Sequence, residues 1–273
     1  MSQRTYFLGA NSAQGFYSCY DSFCPPEDGN FLWVIKGGPG CGKSSFMRKL
    51  GQNAEGKGYC VEYVVCSGDP DSLDGIYIPD LKLGYVDGTA PHVQEPAYPA
   101  VRGAYLNLGE FYDTDALAEK ADAIIAVQKQ YRGYYREAYR LLAEESEPEK
   151  YRFTAAGRPM RLLSAITCNG IVNLAASDNC VKVSPDELMQ LINSHCEGIL
   201  YLHPLWPDIP QGLEYGGVLY LSTLPIPSCR EAVTFLAGAK ELHDRLEAIY
   251  NPHVNFDGVY RLAREHMDKI IEK

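Results

Sequence analysis

The chain has 273 residues, of which 46% are hydrophobic and 22% are charged. This apolar content is typical of a folded globular protein and excludes an intrinsically disordered or collagen-like chain. With 25 basic and 35 acidic residues the net charge is −10, so extended binding to the phosphate backbone of nucleic acids is not expected. At roughly 100–200 residues per domain, the length predicts two domains or one enlarged domain.

Nine cysteines are spread along the chain without any CxxC pair. This spacing argues against a zinc ribbon and against a thioredoxin-like redox site, and it favours a reducing compartment. Residues 1–9 lack the apolar segment of a signal peptide, and no apolar run approaches the roughly 20 residues that cross a bilayer. We therefore expect a cytoplasmic protein with neither nucleic acid nor a membrane as its partner.

The first half of the chain is predicted to begin its sheet with a strand, a helix and a second strand. The aromatic and β-branched run at 31–36 predicts a buried strand, and the residues at 43–54 predict a helix. A second strand is predicted at 59–66, then an acidic loop at 69–75 and a third strand at 82–87. A strand-helix-strand unit of this length implies a parallel sheet with right-handed crossovers.

A glycine-rich motif lies between the first predicted strand and the helix. The sequence Gly-Gly-Pro-Gly-Cys-Gly-Lys-Ser at 37–44 matches the pattern G-x-x-x-x-G-K-[ST]. Its glycines let backbone N–H groups turn inward around a phosphate, and the start of the helix adds partial positive charge. Lys43 is predicted to reach the β and γ phosphates, and the Ser44 hydroxyl is predicted to bind Mg²⁺. The residues expected to contact ATP are Gly38, Pro39, Gly40, Cys41, Gly42, Lys43, Ser44 and Ser45.

Carboxylates follow the second and third predicted strands. Asp87 is predicted to hold Mg²⁺ together with Ser44, although a turn residue before Gly88 is the alternative. Asp69 and Asp71 come first after the second strand, at the edge where ligands bind to α/β sheets, and either is predicted to act as a general base or to position water. Asp74 belongs to the same segment but comes later, so Asp69 and Asp71 are preferred over it. For each of the three aspartates taken singly, an Asx-type turn is the favoured alternative. The predicted catalytic set is Lys43, Asp69, Asp71 and Asp87.

Other polar and aromatic side chains fit structural roles better. His92 follows Asp87 closely enough to orient a phosphate, but a single histidine in a proline-containing loop is more often structural. A long amphipathic helix is predicted over 114–145, with a break near Gly133. Its arginines and tyrosines are expected on solvated and packing faces: Arg132, Arg136, Arg140, Tyr131, Tyr134, Tyr135 and Tyr139.

The polar stretch at 146–150 is the predicted domain boundary, which gives domains at 1–147 and 148–273. Short matches suggest that the second half is a degenerate α/β repeat of the first, and chance similarity is the alternative. In chain order the matches pair 7–16 with 162–171, Pro70-Asp71 with Pro207-Asp208, and 139–141 with 260–262. The second half contains no glycine-rich loop, so it is not expected to bind a nucleotide.

Three segments read together resemble a poorly characterised bacterial family of P-loop ATPases, or ATP-binding proteins. They are residues 36–45, 66–75 and 86–92, and the resemblance extends from residue 4 to about residue 113. It implies a P-loop NTPase fold that binds and hydrolyses ATP. Longer members carry a second P-loop half, which this chain lacks after residue 171.

The leading functional prediction is Mg²⁺-ATP binding and hydrolysis by an α/β P-loop domain, coupled to a conformational or partner-binding change. The fold expected for it is a parallel sheet flanked by helices. Phosphotransfer to a small molecule or nucleotide is one alternative, and an ATP-gated module without essential chemistry is another. The expected partners are ATP and either a small-molecule acceptor or a protein, and a homo-oligomer is left open.

Overall fold

The protein has a mixed α/β fold, which confirms the predicted fold class at that level. The computed structural model describes residues 4–12, 15–144, 164–173, 181–182, 200–201 and 229–271. The strands are β1 Arg4–Tyr6, β2 Gly9–Ser12, β3 Gly15–Ser18, β4 Phe31–Lys36, β5 Glu62–Val65, β6 Leu73–Ile78, β7 Leu83–Asp87, β8 Gly103–Asn107, β9 Ser164–Thr167, β10 Gly170–Asn173, β11 Val181–Lys182 and β12 Leu200–Tyr201. The α-helices are α1 Lys43–Gly56, α2 Thr114–Ala118, α3 Ala121–Glu144, α4 Cys229–Tyr250 and α5 Phe256–Ile271.

Six strands form the main sheet in the order β1-β5-β6-β7-β4-β8. β4 pairs in parallel with β7 on one side and with β8 on the other, and β1 is parallel to β5. β6 runs antiparallel to both of its neighbours. The sheet is therefore mixed, and the prediction of a parallel sheet is wrong at β6.

A tight turn after β5 explains the reversed strand. The Ser72 N–H donates to the Asp69 carbonyl at 2.9 Å, and the Cys66 N–H donates to the Ser72 carbonyl at 3.0 Å. These two bonds close a hairpin between β5 and β6. The loop was predicted to extend to residue 75, but β6 already begins at Leu73.

Helices α1 and α5 pack against one face of the sheet. The ring of Phe46 in α1 meets Tyr85 of β7 edge-on, and the ring of His266 in α5 lies 4.5 Å from that of Trp33 in β4. Three further α5 side chains are buried in the same hydrophobic core: Val259, Ala263 and Met267. This helix from the second half of the chain therefore helps to support β4 and α1, the elements on either side of the glycine-rich loop.

The helix predicted over 114–145 is interrupted near its start and not near Gly133. α2 ends at Ala118 and α3 begins at Ala121, whereas α3 continues without interruption through Gly133. A glycine inside a helix costs only about 1 kcal/mol, which the packing of a long helix can offset. α3 packs along α4, with Val127, Leu242 and Leu246 buried between them.

Two β-hairpins meet beside this helix pair. β2 pairs with β3, β9 pairs with β10, and the Asn11 side-chain amide donates to the Ile166 carbonyl at 2.7 Å. The predicted boundary at 146–150 and the Pro207-Asp208 match lie outside the described residues. In the part of the chain that is described, no helix is both long and apolar enough to cross a membrane.

Candidate functional site

The glycine-rich loop joins β4 to α1 at the edge of the sheet where parallel strands β4 and β7 both end. Gly40 and Gly42 have φ values of 68° and 87°, a left-handed conformation that side chains with a Cβ rarely adopt. Gly42 is also the N-cap of α1, and no side chain caps this helix start. The first-turn N–H groups of α1 are therefore directed toward the loop, in the arrangement that suits an anion.

Two contacts from outside hold the loop in place. The Tyr112 hydroxyl donates to the Pro39 carbonyl at 2.9 Å. With its amide oriented so that nitrogen faces the loop, Asn251 donates to the Gly40 carbonyl at 2.9 Å. Both of these bonds are accepted by carbonyl oxygens of the loop.

Lys43 folds back over the loop from the first turn of α1. Its ammonium donates to the carbonyls of Gly37 and Gly38 at 2.8 and 3.0 Å and lies 3.5 Å from Asp87 Oδ2. Burial disfavours the charged form, but Asp87 together with Cys41 and Asp74 outweighs it, so the pKa of Lys43 is raised. The ammonium therefore stays charged at neutral pH, as required of a phosphate ligand.

Asp87 and Ser44 line the same cavity, with Asp87 on the end of β7. Asp87 Oδ1 accepts hydrogen bonds from the N–H and hydroxyl of Thr89, while Oδ2 faces Lys43. Asp87 therefore stabilises a turn, which was its alternative predicted role, and contacts Lys43 at the same time. Ser44 Oγ accepts from the Leu73 N–H at 2.9 Å, which leaves its second lone pair for a cation. Both residues fit a Mg²⁺ bound next to a phosphate.

The three aspartates after β5 occupy different environments. Asp69 accepts from the Asp71 N–H through Oδ1 and from the Ser72 hydroxyl through Oδ2, which is the Asx-type turn favoured from the sequence. Asp71 is exposed at the mouth of the cavity. Asp74, the last of the three, is 5% exposed and lies on β6 rather than in the loop. Because β5 and β6 form a hairpin, Asp74 is the most buried of the three aspartates that line the cavity.

Asp74 forms a buried ion pair with His92, whose Nε2 lies 3.3 Å from Asp74 Oδ2. Burial opposes the charged imidazole, but Asp74 and, to a smaller extent, Asp87 outweigh it and raise the pKa of His92 to about 9. Burial also opposes the ionised form of Asp74, yet His92 lowers the pKa of Asp74 below its ordinary value. The residue judged structural from the sequence is therefore half of a buried charge pair in the site.

A cavity of about 540 Å³ extends from the glycine-rich loop to the α3–α4 pair. One side, here called the loop wall, consists of residues 37–45. The opposite side, here called the helical wall, consists of Gln128, Tyr131, Tyr135, Lys240, His243, Leu246, Glu247 and Asn251. The two walls enclose the charged residues at the ends of β6 and β7.

The helical wall contains the functional candidates that the sequence did not reveal. The ring centroids of Tyr131 and Tyr135 are 5.1 Å apart, and burial raises the pKa of both hydroxyls. Lys240 Nζ lies 3.6 Å from Asp69 Oδ2, joining α4 to the turn after β5. The spacing of four between the two tyrosines did indicate a shared helix face, but nothing in the sequence shows that this face meets a cavity.

Three potential metal ligands lie close together on α4. Ligand atoms of His243, Asp244 and Glu247 lie within 4.8 Å of one another. The Asp244 carboxylate in this group is also bonded to the Lys240 ammonium.

Comparison with protein-family models, with curated proteins and with solved structures gives no match for this chain. The functional assignment therefore depends on the geometry of the cavity.

Proposed function

We propose that the protein binds Mg²⁺-ATP at the loop wall and hydrolyses it. The observation that carries the proposal is the position of Lys43, which lies over the loop carbonyls and beside Asp87 at the start of an uncapped helix. A cation, a ring of backbone N–H groups and a carboxylate at a neighbouring strand end are the parts that phosphoryl transfer requires.

In this reaction the chain mainly orients and stabilises charge. The loop N–H groups and Lys43 bind the β and γ phosphates and stabilise the charge that develops on the transferred phosphoryl group. Ser44 and Asp87 would hold Mg²⁺, which supplies additional charge neutralisation between the phosphates when it is bound.

A kinase is the second candidate, favoured by the extension of the cavity beyond the loop. Tyr131, Tyr135 and Lys240 line space on the far side of Asp69, where a small acceptor molecule has room to bind. The same Lys43, Ser44 and Asp87 would then serve transfer to a hydroxyl group in place of water.

The test is phosphate release from Mg²⁺-ATP by the wild type, Lys43→Ala and Lys49→Ala. Lys49 is an exposed residue of the same helix, so its variant controls for the loss of one positive charge. We expect Lys43→Ala to lower turnover at least about 100-fold and Lys49→Ala to leave it nearly unchanged.

Adding a pool of small-metabolite acceptors separates the candidates. Release without acceptors supports the ATPase, and ADP formation only with acceptors supports the kinase. If Lys43→Ala turns over ATP like the wild type, the proposed site is wrong. ATP binding that depends on Lys43, with no turnover either with or without acceptors, would support an ATP-gated binding module instead.

A further inference from the structure

The ion pair between Asp74 and His92 is almost completely buried. The two residues are 5% and 6% exposed. Removing two charges from water commonly costs as much as their attraction returns, so a buried pair is weak evidence of a stabilising role. Its position in the phosphate cavity suggests another role.

The hydrogen bonds of His92 fix its protonation state. Nδ1 lies 2.9 Å from the Asp87 carbonyl oxygen, which can only accept, so this nitrogen carries a proton. Nε2 faces the Asp74 carboxylate and carries the second proton. The ring is thus an imidazolium that joins Asp74 to the end of β7.

Tyr20 completes the support of Asp74. Its hydroxyl donates to Asp74 Oδ2 at 3.0 Å, and its ring stacks on His92 with centroids 4.7 Å apart. The Cys66 thiol also bonds to the carboxylate. An ionised carboxylate has about four acceptor sites, so these three donors leave at least one for a group in the cavity.

Asp69 is less suited to the same task. Both of its oxygens accept bonds within the turn, and Lys240 lies beside Oδ2. Asp74, in contrast, lines the cavity together with Lys43 and Asp87 and is held there from three sides. Both carboxylates are held in place, but the contacts from Tyr20 and His92 both reach Asp74 Oδ2. The turn, in contrast, engages both oxygens of Asp69, so Asp74 is the better choice for orienting a nucleophile.

We propose that Asp74 is the catalytic carboxylate that orients the attacking water, and that His92 is the positioning residue that holds it. This inference rests on the proposed function. The water oxygen bonds to the γ-phosphorus, the bond from that phosphorus to the β–γ bridging oxygen breaks, and ADP leaves with the bond's electrons. The proton of the water passes to the released phosphate or to solvent, and Asp74 remains ionised throughout.

The experiment compares four variants with the wild type: Asp74→Asn, Asp69→Asn, the double variant Asp74→Asn/His92→Gln, and Asp80→Asn as a control. Asp80 is exposed just beyond the other end of β6, so its variant matches the loss of one carboxylate. Turnover of Mg²⁺-ATP, affinity for Mg²⁺-ADP and thermal unfolding are measured for each.

We expect Asp74→Asn to lower kcat about 100-fold or more, while its affinity for Mg²⁺-ADP stays within about 3-fold of the wild type. Asp80→Asn should keep wild-type turnover. The double variant removes the unpaired imidazole that Asp74→Asn alone would leave buried, so it should unfold at a temperature closer to that of the wild type. Because it still lacks the carboxylate, its turnover should remain low.

The inference would be overturned by turnover of Asp74→Asn within about 3-fold of the wild type, by recovery of turnover in the double variant, or by a loss of kcat confined to Asp69→Asn. An equal loss of ADP affinity and turnover in Asp74→Asn would also overturn it, since the residue would then be part of the binding site only. Each of these results assumes Lys43-dependent turnover by the wild type. Its absence would instead refute the proposed function, and this inference with it.

Discussion

The loop wall comes from one continuous stretch of chain. The helical wall instead combines side chains from α3 with others, more than 100 positions later, in α4 and just after it. The loop wall takes its shape from local backbone conformation, above all at Gly40 and Gly42. The helical wall takes its shape from packing between two helices. A change in the helix core should therefore weaken the whole fold, and a change in the loop should act mainly on the site.

The largest effect on stability is expected from Leu246→Ala in the core of the helical wall. Leu246 is 1% exposed between α3 and α4, and removing a buried leucine side chain costs about 2–5 kcal/mol. Urea unfolding measures this loss in the free energy of unfolding. Ile125→Ala, on an exposed part of α3, should cost far less, and an equal cost for both would mean that the two helices are not packed as described.

Gly40→Ala tests the point where the two walls touch. A Cβ at this position would lie 2.7 Å from the Asn251 side chain and 3.2 Å from the Glu247 Cα, and φ is in the left-handed region. We expect a loss of about 1–3 kcal/mol in the free energy of unfolding and weaker Mg²⁺-ATP binding. Gly56→Ala is the control, because no atom lies within 4 Å of its added Cβ. Similar unfolding curves for both variants would contradict the contact between the loop and α4.

The buried Asp74–His92 pair, which belongs to neither wall, predicts how stability depends on pH. The pKa of His92 rises from 6.5 to about 9 on folding, so its contribution is complete below about pH 6.5 and is lost as the pH rises through about 9. The pKa of Asp74 is lowered, so its contribution is lost only on acidification. The melting temperature of the ligand-free protein should fall between about pH 7 and pH 10, and His92→Gln should remove much of that fall.

The smallest effect is expected from Asn251→Ala, which removes the hydrogen bond from the end of α4 to the Gly40 carbonyl. Asn251 is exposed, so water can replace the lost donor and the cost should be about 0.5–1.5 kcal/mol. Chemical unfolding and Mg²⁺-ATP titration would measure it beside Gln52→Ala, an exposed change on α1. A cost above that of Gly40→Ala would show that the bond, rather than close packing, joins the two walls.

The sequence was sufficient to predict the strand before the glycine-rich loop, the helix after it and the strand ending at Asp87. Each is a continuous segment with its own periodicity and turn residues, and the structure places them at Phe31–Lys36, Lys43–Gly56 and Leu83–Asp87. The antiparallel β6 was not predicted, because the aspartates and Gly75 indicated a loop. Only the pairing of β6 with its neighbours makes this segment a strand.

The candidate site shows the same limit. Lys43, Ser44 and Asp87 were found from a motif and a strand end, both of which are local. The sequence favoured Asp69 and Asp71 over Asp74 because they come sooner after the strand. In the structure the hairpin places Asp74, the last of the three, in the most buried position. The helical wall was not predictable, since its position depends on packing between distant segments.

The contact between the two hairpins has a consequence for symmetry. β2 and β9 begin and end 155 positions apart, as do β3 and β10, and the bond from Asn11 to Ile166 joins residues with this same separation. A contact between equivalent positions is the mark of a two-fold axis, the arrangement by which identical subunits form closed dimers. Here both partners belong to one molecule. The donor that Asn11 presents on β2 is therefore already satisfied by Ile166 of β9 within the same chain.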